Sequence, residues 1–327
     1  MSDGPLGLVG DVGGTNARFA LAVRQAGRLA ISQPASFRAT DYPSGDAALK
    51  AYLDRLDSPT RPGFAVVAAA GPIENRAVTF TNNTAWRFSE TGLEQAGGFR
   101  RARLINDFEA QALSIDHLSD ADVRHIGGPT ERAKTGTAAI FGPGTGFGAG
   151  ARVMDERGRA ILTSEAGHSG FAPGDETEIE IIRRLMTPFG RVSVERLLSG
   201  PGLLHLYQTL AAMRDEPAPH AEPDQVTRAA LSGEPLSRLV LDRFCAILGS
   251  VAGDLALVYG AKGGVYISGG IAPIVINVLE TSDFRRRFEA KGRMSDYLRA
   301  ISTFVVTQPH AALIGAASLL DDLAAGR

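Results

Sequence analysis

The chain has 327 residues, 44% of them hydrophobic and 21% charged, with a net charge of −2. That is enough chain for two domains and a large core, with no charge excess to draw it to nucleic acid or an anionic membrane. No run approaches the ~20 apolar residues of a membrane span, the opening MSDGPLGLVGD lacks the basic and long apolar stretches of a signal peptide, and the single cysteine, Cys245, excludes an internal disulfide or a thiolate metal cluster.

These features leave a cytoplasmic enzyme as the expected class. Cys245 lies in RFCAILGS and reads as a buried, inert thiol. In chain order, residues 6–10 (LGLVG) and 17–23 (ARFALAV) read as two strands around a glycine-rich turn. Residues 44–56 place Ala47, Ala48, Ala51, Tyr52 and Leu56 on one helical face, opened by Ser44. FAVVAAA (64–70) is a buried strand stopped by Gly71-Pro72. Residues 103–105 form another strand, which runs into a helix beginning NDFEAQALSIDHL. Strands alternating with helices indicate an α/β fold.

The pattern restarts near residue 137. TAAIFG is a strand, a glycine loop follows, AGARVM is a second strand, and DERG turns into RAILTS. Residues 176–188 and 237–260 read as helices, and RDEPAPHAEPD (214–224) reads as a surface loop. GGVYISGGIAP is a strand, a glycine turn and a helix start, with Pro273 near its first turn. Gly13-Gly14-Thr15 in the first half corresponds to Pro143-Gly144-Thr145 in the second. Matched turns between strand pairs predict a duplicated α/β architecture with a cleft between the halves.

Successive glycines let backbone N–H groups converge with no Cβ in the way, a nest suited to phosphate. A plain hairpin turn is the competing reading for either loop taken alone. No GxxxxGK[ST] loop is present. Gly144, Gly146 and Ala149 fit GxGxxA, as do Gly146, Gly148 and Ala151, and Glu165 lies near the distance of a ribose-binding acid. A dinucleotide-binding loop opens a helix, however, and AGARVM-DERG-RAILTS reads as a β-hairpin.

LVGDVGGTNARFALA, INDFEAQALSI, FGPGTGFGAG, SEAGHSGFAP, VSVERLLSGPGL and ISGGIAP follow one another across nearly the whole chain. In that order they resemble the motif series of the bacterial glucokinases, in the sugar kinase/Hsp70/actin superfamily. The resemblance implies a duplicated actin-like, ribonuclease H-like ATPase fold. It implies a small α/β domain of residues 1–112 with 310–327 and a large one of 113–309, with ATP and glucose meeting in the interdomain cleft. The Cys-rich zinc motif of ROK kinases is missing, which sets the chain closer to the non-zinc glucokinases. The implied reaction is Mg²⁺-dependent transfer of phosphate from ATP to the 6-hydroxyl of glucose, by a cytoplasmic homodimer. A kinase for mannose or N-acetylglucosamine, or a nucleotide-gated assembly protein on the same fold, are the alternatives.

Phosphoryl transfer to a hydroxyl needs a base, charge neutralisation on the phosphates and in-line positioning. Asp107, after a strand and opening a helix, is the candidate base, kept ionised by the helix dipole; an ordinary helix cap is the competing reading. The resemblance makes neighbouring Asn106 a sugar-hydroxyl partner. Glu165 and His168 sit in SEAGHSG, where the related enzymes have glycine in place of Ala166, and would pair with sugar hydroxyls. Glu195 is a further sugar ligand by resemblance, though spacing alone makes it a solvated helix charge. Asp11 is read as holding Mg²⁺ through water. Gly13, Gly14, Thr15 and Asn16 form the first nucleotide turn, and Gly144, Thr145 and Gly146 the phosphate cradle. Gly269 and Gly270 would lie against the nucleoside, a role that a plain strand-helix turn matches equally. Asn83 and Trp86 are expected to border the sugar cleft.

Overall fold

The structure, a computed structural model, describes residues 5–56, 61–80 and 83–326. The chain divides into two units. One runs up to Ser119 and resumes at Gln308, and the other is Asp120–Thr307.

In the first unit β1 (Gly7–Val12), β2 (Asn16–Gln25) and β3 (Arg28–Arg38) form an antiparallel meander. Ser44 caps α1 (Gly45–Leu53), its Oγ accepting from the Ala47 N–H at 3.2 Å, as the sequence predicts. β4 (Phe64–Ala69) pairs in parallel with β1. A hairpin of β5 (Ala77–Phe80) and β6 (Asn83–Ser89) leads to α2 (Glu90–Gly97). β7 (Arg101–Asn106) pairs in parallel with β4 and delivers the chain into α3 (Asp107–Ser114). The sheet order is β3-β2-β1-β4-β7.

The second unit repeats this plan. β8 (Val123–Gly127) precedes β9 (Ala138–Pro143), β10 (Phe147–Asp155) and β11 (Gly158–Ser164), the last three an antiparallel meander. α4 (Glu176–Phe189), α5 (Gly200–Met213), α6 (Pro223–Leu231) and α7 (Pro235–Tyr259) follow. β12 (Val265–Ile267) pairs in parallel with β9. α8 (Ile276–Thr281), α9 (Phe284–Glu289) and α10 (Ser295–Arg299) lead to β13 (Thr303–Val306), parallel to β12 and antiparallel to β8. The order β11-β10-β9-β12-β13, with β8 added at the edge, matches the first sheet strand for strand. α11 (Ala311–Ala317) then rejoins the first unit and packs on α3. Gly315 permits this closeness, because a Cβ there would overlap the Ala110 carbonyl.

Two expectations change. Pro273 does not lie in a helix's first turn: residues 269–275 form successive turns, and α8 begins only at Ile276. Trp86 is 1% exposed, packed edge-on to Phe88 at 5.7 Å in the core of the first unit, with its indole N–H unpartnered. It lines no surface, so its apolar bulk serves packing. Cys245 is fully buried in α7, and burial pushes its thiol up to about 12, as expected of an inert cysteine. No helix among the described residues is long and apolar enough to cross a membrane.

Candidate active site

In the first unit, Asn106 ends β7 and is the N-cap of α3. Its Oδ1 accepts from the N–H groups of Phe108 (2.9 Å) and Glu109 (3.3 Å), and its Nδ2 donates to the Gly71 carbonyl at 3.4 Å. Asp107 is the first helical residue, half-buried, with Oδ1 3.0 Å from the Phe108 N–H. Capping therefore falls to Asn106, and the Asp107 carboxylate sits in the first turn, where the helix dipole favours negative charge. The strand end fixes the α3 N-terminus on one side and α11 packs behind it, so Asp107 stands on a rigid element.

The β1–β2 turn carries Asp11 to Asn16. The Gly13 N–H donates to the Asn16 carbonyl at 2.8 Å, and Thr15 and Asn16 are exposed, joined by Asn16 Nδ2 to Thr15 Oγ1 at 3.2 Å. Asp11 faces Arg18 across the strand pair. Burial raises its carboxyl above the ordinary aspartate range, and the Arg18 guanidinium opposes the rise only in part. A half-buried carboxylate whose charge Arg18 offsets only in part suits a cation. Among the described residues no group of three or more His, Cys, Asp or Glu side chains could hold a metal. A Mg²⁺ at Asp11 would thus take most of its oxygen ligands from water and phosphate. The turn alignment read from the sequence sets Asp11 against Phe141, but counted back from the last paired residues, Val12–Ala17 and Pro143–Phe147, Asp11 matches Gly142 of the second hairpin, because the second turn is one residue shorter. A Cβ at Gly142 would overlap the Ser268 carbonyl, so the second half has no room for the carboxylate. Asn83 opens β6, and its side chain lies outside the described residues.

In the second unit the glycine loop turns from β9 to β10, with the Gly144 N–H on the Gly146 carbonyl at 2.8 Å. β10 and β11 are antiparallel, so the loop opens a hairpin and the dinucleotide-binding reading fails. The glycines divide into two sets. At Gly269 (φ +83°) a Cβ would stand 2.5 Å from the Pro143 carbonyl, so backbone packing demands glycine, and at Gly146 it would stand 2.5 Å from Glu195 Oε2, so the carboxylate would have to move. Gly13, Gly144 and Gly270 have no left-handed φ, and a Cβ would meet nothing nearer than 3.9 Å. The fold does not require glycine at these three, which is what a surface kept clear for a ligand would show.

Gly144, Thr145 and Gly270 form one wall of a pocket of about 530 Å³, whose other walls are Gly200 and Pro201 of α5, Pro223, Thr227 and Arg228 of α6, and Ile274. The Gly200 N–H donates to the Gly144 carbonyl at 2.8 Å and ties the α5 start to the loop. Sequence reasoning missed the α5 and α6 residues. The signal was there in part: Pro223 and Asp224, read as the end of a surface loop, are the proline-led first turn of α6.

Beside the loop stand Glu165, His168 and Glu195. Glu165 and His168 are exposed at the two ends of a single 3₁₀ turn, Nε2 to Oε2 at 3.9 Å. The Glu195 N–H donates to the Gly167 carbonyl at 2.9 Å, and Glu195 Oε2 accepts from the Phe147 N–H at 2.8 Å. Gly167 must be glycine, because a Cβ would overlap the Phe147 carbonyl. The methyl of Ala166 packs against the apolar core, so the departure from the related sequences is absorbed there.

The protein-family profile described as Glucokinase matches residues 8–323. A glucokinase of Caulobacter sp. (strain K31) is 52% identical over 312 residues, covering 95% of this chain and 94% of that one. The chain belongs to the glucokinase family. A crystal structure of a glucokinase from an Antarctic psychrotroph is 38% identical, with a TM-score of 0.85, covering 96% of this chain and 98% of that one. A ROK family glucokinase from Streptomyces griseus, solved with glucose and AMPPNP, has a TM-score of 0.67 at 19% identity, covers 97% of this chain and 99% of its own, and shares the fold. The duplicated sheets of this glucokinase-family chain are the two-domain actin-like fold expected from the sequence.

Proposed function

We propose that the chain transfers the γ-phosphoryl group of ATP to the 6-hydroxyl of glucose, giving glucose 6-phosphate and ADP. Family membership supports the reaction. The observation that carries the site reading is that the glycine loop and the Glu165–His168–Glu195 group share one hydrogen-bonded framework; on our reading the loop is the phosphate cradle and the three side chains are the hydroxyl partners.

Asp107 takes the proton from the sugar hydroxyl as the oxygen attacks phosphorus, and the bond to the β-phosphate oxygen breaks as ADP leaves. Asn106 offers its Nδ2 to a neighbouring hydroxyl, since Oδ1 is committed to the cap. Glu165, His168 and Glu195 pair with the remaining hydroxyls, with Asn83 as a further sugar partner. The loop of Gly144, Thr145 and Gly146 holds phosphate through the N–H groups of Thr145 and Gly146, the Gly144 N–H being committed to the Gly146 carbonyl, and the turn of Gly13, Gly14, Thr15 and Asn16 does the same in the first unit with the Gly13 N–H committed to the Asn16 carbonyl. Gly270 borders the nucleoside in the 530 Å³ pocket, and Gly269, outside the pocket wall, sets the turn that brings it there. Asp11 would hold Mg²⁺, which when bound neutralises phosphate charge. The unit bearing Asp107 is the small domain and Asp120–Thr307 the large one. The family resemblance supports a cytoplasmic homodimer.

Glu165→Gln and His168→Ala should each weaken glucose binding by about 1–3 kcal/mol, roughly 5- to 150-fold, and leave AMPPNP binding within about twofold. Calorimetry reads both. Unchanged glucose affinity in both variants would remove these residues from the sugar site.

A further inference from the structure

We infer that Glu195 is a positioning residue for the phosphoryl donor: it couples sugar occupancy to the geometry of the phosphate-binding loop through the Phe147 amide. The inference rests on the sugar-site reading above.

Glu195 begins a short segment that clasps the loop at both ends. At its start, Oε2 accepts from the Phe147 N–H at 2.8 Å, and at its end the Gly200 N–H donates to the Gly144 carbonyl at 2.8 Å. The segment is held rigid between, with Ser199 Oγ donating to the Glu195 carbonyl at 2.7 Å and capping α5 through the Gly202 N–H at 3.0 Å. The carboxylate occupies the space that a side chain at position 146 would fill. The Phe147 ring stacks on Phe141 in the core at 5.9 Å, so the loop's far end is anchored and its amide has one orientation. The Glu195 backbone bonds Gly167, the centre of the Glu165–His168 turn.

Among the described residues no donor bonds Glu195 Oε1. One oxygen thus belongs to the phosphate loop, and the other is placed for a sugar hydroxyl. A charged acceptor strengthens both bonds. Sugar bound at Oε1 fixes the carboxylate plane, and with it the Phe147 amide and the cradle that receives the ATP phosphates. By reciprocity, nucleotide in the cradle must tighten sugar binding by the same factor. A glutamine here keeps one acceptor oxygen for the Phe147 amide but offers the sugar a neutral N–H donor in place of a charged acceptor, so the charge assistance that joins the two bonds is lost.

The test is glucose affinity by calorimetry, with and without saturating AMPPNP, on wild type and Glu195→Gln, each checked for a native melting transition. In wild type, AMPPNP should tighten glucose binding by at least about fivefold, the lower end of typical coupling. In Glu195→Gln that factor should fall to within about twofold of one, KM for ATP should rise more than kcat falls, and the Phe147 amide should exchange with solvent about tenfold faster or more. Gly146→Ala, which presses on Oε2 with the carboxylate intact, should also lower the factor. A Glu195→Gln protein with weaker glucose binding but a wild-type coupling factor would overturn the inference and leave Glu195 as a sugar ligand alone. A wild-type factor of one would overturn it while leaving the sugar site standing. A wild type that binds no glucose would remove the site reading itself.

Discussion

Replacing Asp107 by asparagine should lower kcat by roughly 10²–10⁴-fold, the usual value of a general base, while glucose and AMPPNP still bind. The substitution keeps size and shape, and the cap of α3 is made by Asn106, so the helix start survives it. What would be lost is the proposed proton acceptor, held on a rigid helix end where the dipole favours negative charge. Asn106→Ala is the contrasting case. It removes the cap, which costs about 1 kcal/mol of stability, and should show in the melting midpoint as well as in turnover. An Asp107→Asn enzyme that keeps more than about a tenth of wild-type kcat, measured by ADP release at saturating substrates, would take Asp107 out of the role of base.

The second large effect is on stability. Glu178, in α4, is fully buried, with its carboxylate bonded by the Gly174 N–H (2.6 Å), Arg243 of α7 (3.1 Å) and Arg287 of α9 (2.8 Å). Asp175, the cap of α4, joins the same two arginines. Burial alone would raise the Asp175 carboxyl, but the bonds from Arg243 and from the Glu178 amide outweigh it and hold the group below the usual range. Glu178→Ala leaves Arg287, itself buried, facing a void without its principal partner. Removing one side of such a pair costs about 3–5 kcal/mol, which for a unit of this size lowers the melting midpoint by on the order of 10 °C. Scanning calorimetry should show it. A midpoint within about 2 °C of wild type would mean that the three helices are not held by this network.

What the sequence revealed and what it concealed divide along the range of the interactions involved. Ser44, the two hairpin glycine turns and the Asn106-Asp107 junction were legible because caps and tight turns are set by a few adjacent residues. The duplication was legible because both turns fall between strands of the same kind. The pocket proposed for the nucleotide was legible only at Gly144, Thr145 and Gly270, because its α5 wall begins at Gly200 and its α6 wall at Pro223, far along the chain from both glycine turns, and no local spacing records that meeting. Glu195 illustrates the same limit. Its neighbours describe a solvated charge, yet its carboxylate bonds Phe147, 48 residues away. Trp86 failed as a boundary residue because proximity in sequence to Asn83 does not decide which face of a strand turns to the core. At Gly146, Gly167 and Gly269 the need for glycine comes from backbone or carboxylate pressed close from elsewhere, whereas at Gly13, Gly144 and Gly270 it comes from nothing within the chain.

The most direct measurement of the central claim follows ADP release and sugar phosphorylation together, with MgATP and, in turn, no sugar, glucose, mannose and N-acetylglucosamine. ADP and glucose 6-phosphate should appear in equal amounts with glucose, with phosphorus NMR placing the new ester on the 6-oxygen, and ADP release without sugar should be at most a small fraction of that rate. ADP released as fast without sugar as with it, or glucose left unmodified while another hexose is phosphorylated, would contradict that claim.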